Sequence, residues 1–375
     1  MRVLTIGQPD SSHSVSFIRR LRENYPEAKF WFFASSPFSF APELSDLCDK
    51  LIRSEIPAVY YQAYWEDMYR SPLSRFSGSV ALLSSTIDEF KPDFINVNAI
   101  QDAGYLLLDS INQGKLAHRN FVCNLFVWGN DLFYFQHHPL HRQKICEFLQ
   151  YVDNLIPESS REHPLAYRLG FRGRTFPPVE ATLVTFEELT RSFASVQVQK
   201  ENLILVKSAY QSGRTLNGVA LRALSNLSDL LKNWSVVLIS PSLEDWRCLL
   251  GPSGDPAINV RWSSGHLSKQ DFLQFLNAAK VFVSLNLSDG VSNSFLECCA
   301  ARTYPILSNS SCIVDWGSES ALQLDPYDAP RGEEQLRDFF VNIEGKVDGL
   351  VAKNFVSLKR YSADEVNKIV RLIFG

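Results

Sequence analysis

The chain has 375 residues, 45% of them hydrophobic, which is enough to fill two ordinary cores and more than one core usually grows to. Lys plus Arg number 37 against 41 Asp plus Glu, a net charge of −4, so no global attraction to nucleic acid is built in and an anionic ligand has to be met by local groups. Seven cysteines, at positions 48, 123, 146, 248, 298, 299 and 312, form no Cys-x-x-Cys pair, which predicts reduced, cytosolic usage instead of a disulfide framework.

The opening run MRVLTIG is too short for a signal peptide, and no later segment reaches a spanning length free of charges. A soluble chain is expected, with contact to a membrane surface left open. Strand-like runs at 2–6, 29–34, 93–98, 121–128 and 154–156 alternate with helical periodicity over 14–23 and 79–90. That alternation predicts a parallel sheet covered by helices. The loop after the first strand, GQPDSSH, holds a single glycine, and His13 is a candidate at its end.

Tyr60, Tyr61, Tyr64, Trp65 and Tyr69 form an aromatic cluster that suits either packing on the sheet or a docking platform. His137, His138 and His141 enclose Pro139, and no carboxylate or thiol completes a metal set, so they read as a polar surface segment. Around 171–200 the pattern lapses, which predicts a connection between domains.

A second series follows, with strands at 202–207, 235–239, 258–262, 281–285 and 304–308 and helices at 215–231, 243–250, 269–279 and 293–301. Ser268 with Asp271 makes a capping box for the third of these helices. The expected fold class is α/β, two doubly wound Rossmann-like domains facing a central cleft, since such sheets bind ligands beyond the carboxyl ends of their strands. The predicted boundaries are 1–176 for the first domain, 177–200 for the linker, 201–350 for the second domain and 351–375 for a C-terminal helix returning to the first.

Residues 289–297, DGVSNSFLE, carry the most chemistry: two acids eight positions apart, a glycine turn and the start of a helix. Unpaired N–H groups of a first helical turn receive phosphate, and a glycine lets backbone approach a ligand. Ser292 and Ser294 are candidate caps or phosphate donors, and Glu297, one turn in, can accept two hydrogen bonds from the hydroxyls of a ribose. The same residues also suit plain turn and helix-dipole chemistry.

With its flanks (GHLS at 265, FLNAAKVFVS at 275, LSDGVSNSFLECCAA at 287 and PILS at 305), this stretch resembles the retaining, GT-B-fold nucleotide-sugar glycosyltransferases, which include capsule and lipopolysaccharide enzymes. Members carry a Glu, seven residues and a second Glu, and here the first acid is Asp289. The resemblance implies that Glu297 holds the donor ribose, that Asp289 holds hydroxyls of the transferred sugar, and that backbone around Gly290, Asn293 and Ser294 meets the diphosphate. Arg302 stands where the family usually has glycine.

A basic pair after the first strand of the C-terminal domain is a second family pattern, matched here by Lys207 and Arg214. Two cations on a departing diphosphate would stabilise its charge without a metal, although a solvated surface loop would also accommodate them. VWGNDL at 127–132 resembles a turn of related transferases, in which Asp131 would orient a hydroxyl; capping of the next helix is the other reading.

The resemblance thus implies a metal-independent enzyme with no cofactor, transferring sugar with retention from a nucleotide-diphosphate donor to a glycan or lipid-linked glycan acceptor. It also implies a cytoplasmic place, against the inner face of a membrane if the acceptor is lipid-linked. A nucleotide-sugar epimerase or sugar phosphorylase on the same fold, and a non-catalytic nucleotide-binding or scaffolding protein, are the alternatives.

Overall fold

The computed structural model describes residues 1–54, 77–114, 116, 120–194, 199–208, 216–250, 254–262, 267–288, 290–311, 313–316 and 319–375. The aromatic cluster at 60–69, Arg214 and Asp289 lie outside the described residues. The chain divides into two compact units, Met1–Val184 with Ala363–Gly375, and Thr185–Ser362. The stretch expected to link them contains a helix, Phe186–Ala194, that belongs to the second unit.

In the first unit β1 (Arg2–Gly7), β2 (Lys29–Ala34), β3 (Lys50–Ile52), β4 (Phe94–Asn98), β5 (Val122–Phe126), β6 (Asn154–Ile156) and β7 (Arg174–Thr175) pair in parallel in the order β3-β2-β1-β4-β5-β6-β7. In the second, β8 (Glu201–Lys207), β9 (Ser235–Ile239), β10 (Asn259–Trp262), β11 (Ala279–Ser284), β12 (Tyr304–Ser308) and β13 (Leu322–Leu324) give β10-β9-β8-β11-β12-β13, again parallel. Both orders reverse beside the first strand of the unit, which is the topological switch point of a doubly wound sheet.

Period-two side-chain alternation explains why the second sheet needs helices on both faces. Ile204, Val206, Val236, Leu238, Val281 and Val283 enter one core. Leu203, Leu205, Val237 and Phe282 enter the other, with Leu276 and Cys298. The two- and three-residue strands β3, β7 and β13 were not anticipated; all three lie at sheet edges, outside the continuous apolar runs that mark the inner strands.

A polar ladder crosses the first sheet where uniform apolar residues would be expected. Asn154 donates to Asn124 (2.8 Å), Asn124 to Asn96 (3.0 Å) and Asn96 to Thr5 (3.5 Å), all in register on adjacent strands. Thr5, Asn96 and Asn124 are fully buried, so each amide finds its partner in the next strand rather than in water.

The C-terminal helix expected over 351–375 is interrupted: Ser362 adopts a non-helical backbone between the helices Ile343–Ser357 and Ala363–Phe374. Within the first unit the last helix lies on Ser12–Asn24, where Asn24 donates to Asn367 (2.8 Å) and Phe374 meets Tyr25 and Phe94 edge-on. His141 corrects the surface reading of the histidines. It is buried on the inner face of Pro139–Leu149 with Ile145 and Phe148, and its Nδ1 lies 2.9 Å from the Tyr105 hydroxyl. Helical spacing from 141 to 145 and 148 forces it inward.

Lys200 is a half-buried cation at the amino end of β8. Its ammonium donates to the carbonyls of Leu276 (3.3 Å) and Ala279 (2.9 Å) and to the Thr303 hydroxyl (2.8 Å), closing the end of the helix Lys269–Ala278. Burial pulls its pKa down to about 8. Between that value and the ordinary lysine range the unfolded chain holds a proton that the folded chain has released, so stability rises with pH there. Urea midpoints of wild type and Lys200→Met between pH 7 and 10 should diverge in favour of wild type, by on the order of 3 kcal/mol. A constant difference would show that Lys200 stays charged in the fold.

Arg302 occupies a position that glycine would relieve. It has φ of 55° just past the helix Asn293–Ala300, while the Thr303 N–H reaches back to the Cys298 carbonyl (3.0 Å), a Schellman-type close. Its guanidinium lies 4.4 Å over the Phe355 ring, which offsets the left-handed backbone. Arg302→Ala keeps the strain and loses the ring contact, whereas Arg302→Gly loses both. Denaturant titration should therefore find the alanine variant about 1 kcal/mol less stable than the glycine one.

Candidate active site

β8 ends at Lys207 and β11 at Ser284, side by side at the switch point of the second sheet. Asn217 fixes both ends. Fully buried at the start of Asn217–Asn226, it donates to the Lys207 carbonyl (2.7 Å) and accepts from the Leu285 N–H (2.8 Å).

From there the chain runs through Asn286, whose carbonyl accepts from the Ser308 and Ser310 hydroxyls, to Gly290 and Val291, both buried. Ser292 has the extended backbone of an N-cap and accepts from the Phe295 N–H at 3.3 Å, so the helix Asn293–Ala300 starts where the sequence places it. Asn293 and Ser294 are its first two residues. The Lys207 ammonium donates to the Ser294 hydroxyl at 2.6 Å, bringing a cation to the mouth of the helix.

Glu297 lies three residues beyond Ser294 and therefore on the same side of the helix. It is 8% exposed, and its carboxylate is paired with the ammonium of Lys269, the first residue of Lys269–Ala278. Burial pushes the neighbouring thiols of Cys298 and Cys299 upward, leaving them protonated and without nucleophilic character.

An ammonium at a helix N-terminus suits a multiply charged anion, and a carboxylate one turn inward suits a pair of adjacent hydroxyls. The structure thus brings together Lys207, Gly290, Asn293, Ser294 and Glu297. Asp131 belongs to the other unit. There one of its carboxylate oxygens accepts from the Trp128 N–H (3.0 Å) and the Ile100 N–H (3.1 Å), tying the turn after β5 to the turn after β4. The His13 ring lies edge-on to Trp128 at 5.6 Å. Among the described residues no group of three or more His, Cys, Asp or Glu is placed to hold a metal ion.

Two participants escaped the sequence reading. Asn217 follows the loop that carries Arg214 and had no motif of its own. Lys269 had a signal: it sits inside the Ser268–Asp271 capping box, at a helix start where the dipole disfavours a cation, so another partner had to hold it there.

No protein-family model and no curated protein matches the sequence. Solved structures do match over the whole chain. A UDP-forming α,α-trehalose-phosphate synthase from Burkholderia vietnamiensis is 12% identical with a TM-score of 0.70, over 100% of this chain and 99% of that one. The corresponding synthase from Burkholderia xenovorans, in complex with glucose-6-phosphate, is 12% identical with a TM-score of 0.69 over 100% of both chains. The E. coli trehalose-6-phosphate protein bound with UDP-2-fluoro glucose is 13% identical with a TM-score of 0.65, over 100% of this chain and 98% of that one. The chain has the fold of these proteins, α/β with two doubly wound Rossmann-like domains, the GT-B class.

Proposed function

We propose that this protein is a glycosyltransferase that moves a sugar from a nucleoside diphosphate donor to an acceptor hydroxyl. The observation that carries the reading is the Lys207–Ser294 contact of 2.6 Å at the switch point of the second sheet, with Glu297 one turn further along the same helix.

In this reading Glu297 accepts hydrogen bonds from the ribose, and the diphosphate rests on the N–H groups of Asn293 and Ser294, with Gly290 giving close backbone approach. Asp289 meets the transferred sugar. As the bond from sugar to phosphate lengthens, Lys207 and Arg214 take up the growing charge, so no metal is required. The leaving phosphate accepts the acceptor's proton, which permits retention without a strong protein base. Asp131 serves the acceptor side by holding its turn in place. A uridine donor and a sugar-phosphate acceptor are favoured by the names of the structural neighbours. A lipid-linked glycan at the inner face of the membrane is the acceptor that the family resemblance suggests.

The test is nucleoside diphosphate release from UDP-, GDP-, ADP- and dTDP-sugars, with and without glucose 6-phosphate or a lipid-linked glycan. One donor class releasing its diphosphate only when an acceptor is present is the expected result. Conversion of donor without any acceptor would support the epimerase alternative, and tight nucleotide binding with no turnover would support a binding protein.

A further inference from the structure

We infer that Lys269 is an internal competitor for the donor ribose: its ammonium pairs with the Glu297 carboxylate and is displaced when a nucleotide binds. The inference rests on the donor reading above and adds a residue that sets affinity at that same site.

Three features of the pair lead there. Lys269 is the first residue of its helix, where the dipole opposes a cation, so helix stability does not account for its position. The two partners are also unequal. The Lys269 side chain is 63% exposed, and its ammonium can swing into water at the loss of only a 5.5 Å contact with the Phe272 ring, whereas the Glu297 side chain is 10% exposed. Finally, a carboxylate offers only two oxygens. A cis-diol donates to both, and Lys269 already engages one of them. Nucleotide binding is therefore an exchange of an ion pair for two hydroxyl hydrogen bonds.

The consequence runs against the usual expectation that removing a cation from an anion site weakens binding. Full-length wild type, Lys269→Met, Glu297→Gln and the double variant are titrated calorimetrically with UDP, GDP, ADP and CDP. For the diphosphate that binds best, Lys269→Met should bind about two- to five-fold tighter, the equivalent of losing one largely exposed ion pair. Glu297→Gln should bind roughly ten-fold more weakly, and the gain from Lys269→Met should vanish in its background. Lys269→Gln, closer in shape to lysine, should repeat the gain if the methionine variant folds poorly.

Weaker or unchanged binding by both Lys269 variants, with Glu297→Gln still impaired, overturns the inference alone. Binding by Glu297→Gln equal to wild type, or no binding of any diphosphate, removes the donor reading and the inference together.

Discussion

Lys207→Ala is expected to lower turnover about 100- to 1,000-fold, the cost of removing one charged donor from a developing anion. The Lys207 ammonium is held 2.6 Å from Ser294 by a strand end that Asn217 pins, so it is in place before the donor bond breaks. A group held in this way stabilises the charge that appears only in the transition state, and its loss falls mainly on kcat and less on KM for the donor. Ser294→Ala, which removes one contact of the ammonium and keeps its charge, should cost far less. Steady-state rates with the donor varied separate the two parameters, and an unchanged melting curve excludes misfolding. A Lys207→Ala enzyme with normal kcat and raised KM would reduce the residue to a ground-state contact.

Asn124→Ala is expected to destabilise the first unit by about 3 kcal/mol, a fall in Tm of roughly 10 °C. Asn124 is fully buried and sits in the middle of the ladder, donating to Asn96 and accepting from Asn154. Its removal leaves the fully buried Asn96 carbonyl oxygen without its donor, frees the part-buried Asn154 amide, and adds a small cavity. Asn154→Ala, nearer the rim and partly solvated, should cost less. Thermal and urea unfolding of the two variants measure this, and a loss below 1 kcal/mol for Asn124→Ala would mean that the ladder contributes nothing net.

Much of this protein was legible because its strands are continuous apolar runs, as in KFWFFA at β2 and NLILVK within β8, bounded by helices with clear caps. Buried parallel strands have no solvent face, so composition alone locates them. The helix after β11 was legible for a different reason: Ser292 is a strong cap, and the residues after it have to carry phosphate chemistry if any do.

What the sequence concealed is long-range. Nothing near Asn96 or Asn124 announces that three asparagines and Thr5, from four strands, share one level, because register is a property of the sheet. The 28 positions between Lys269 and Glu297 likewise hide a direct ion pair that only the packing of two helices creates. His141 was misread for a third reason, since its two neighbouring histidines and Pro139 masked the helical spacing that carries it into the core.

A crystal structure with UDP bound tests the placement of the donor most directly. The diphosphate should lie within hydrogen-bonding reach of the Lys207 ammonium and the Ser294 N–H, with the ribose hydroxyls on Glu297. A nucleotide seated on the first sheet, or one that leaves Lys207 and Glu297 untouched, would contradict it.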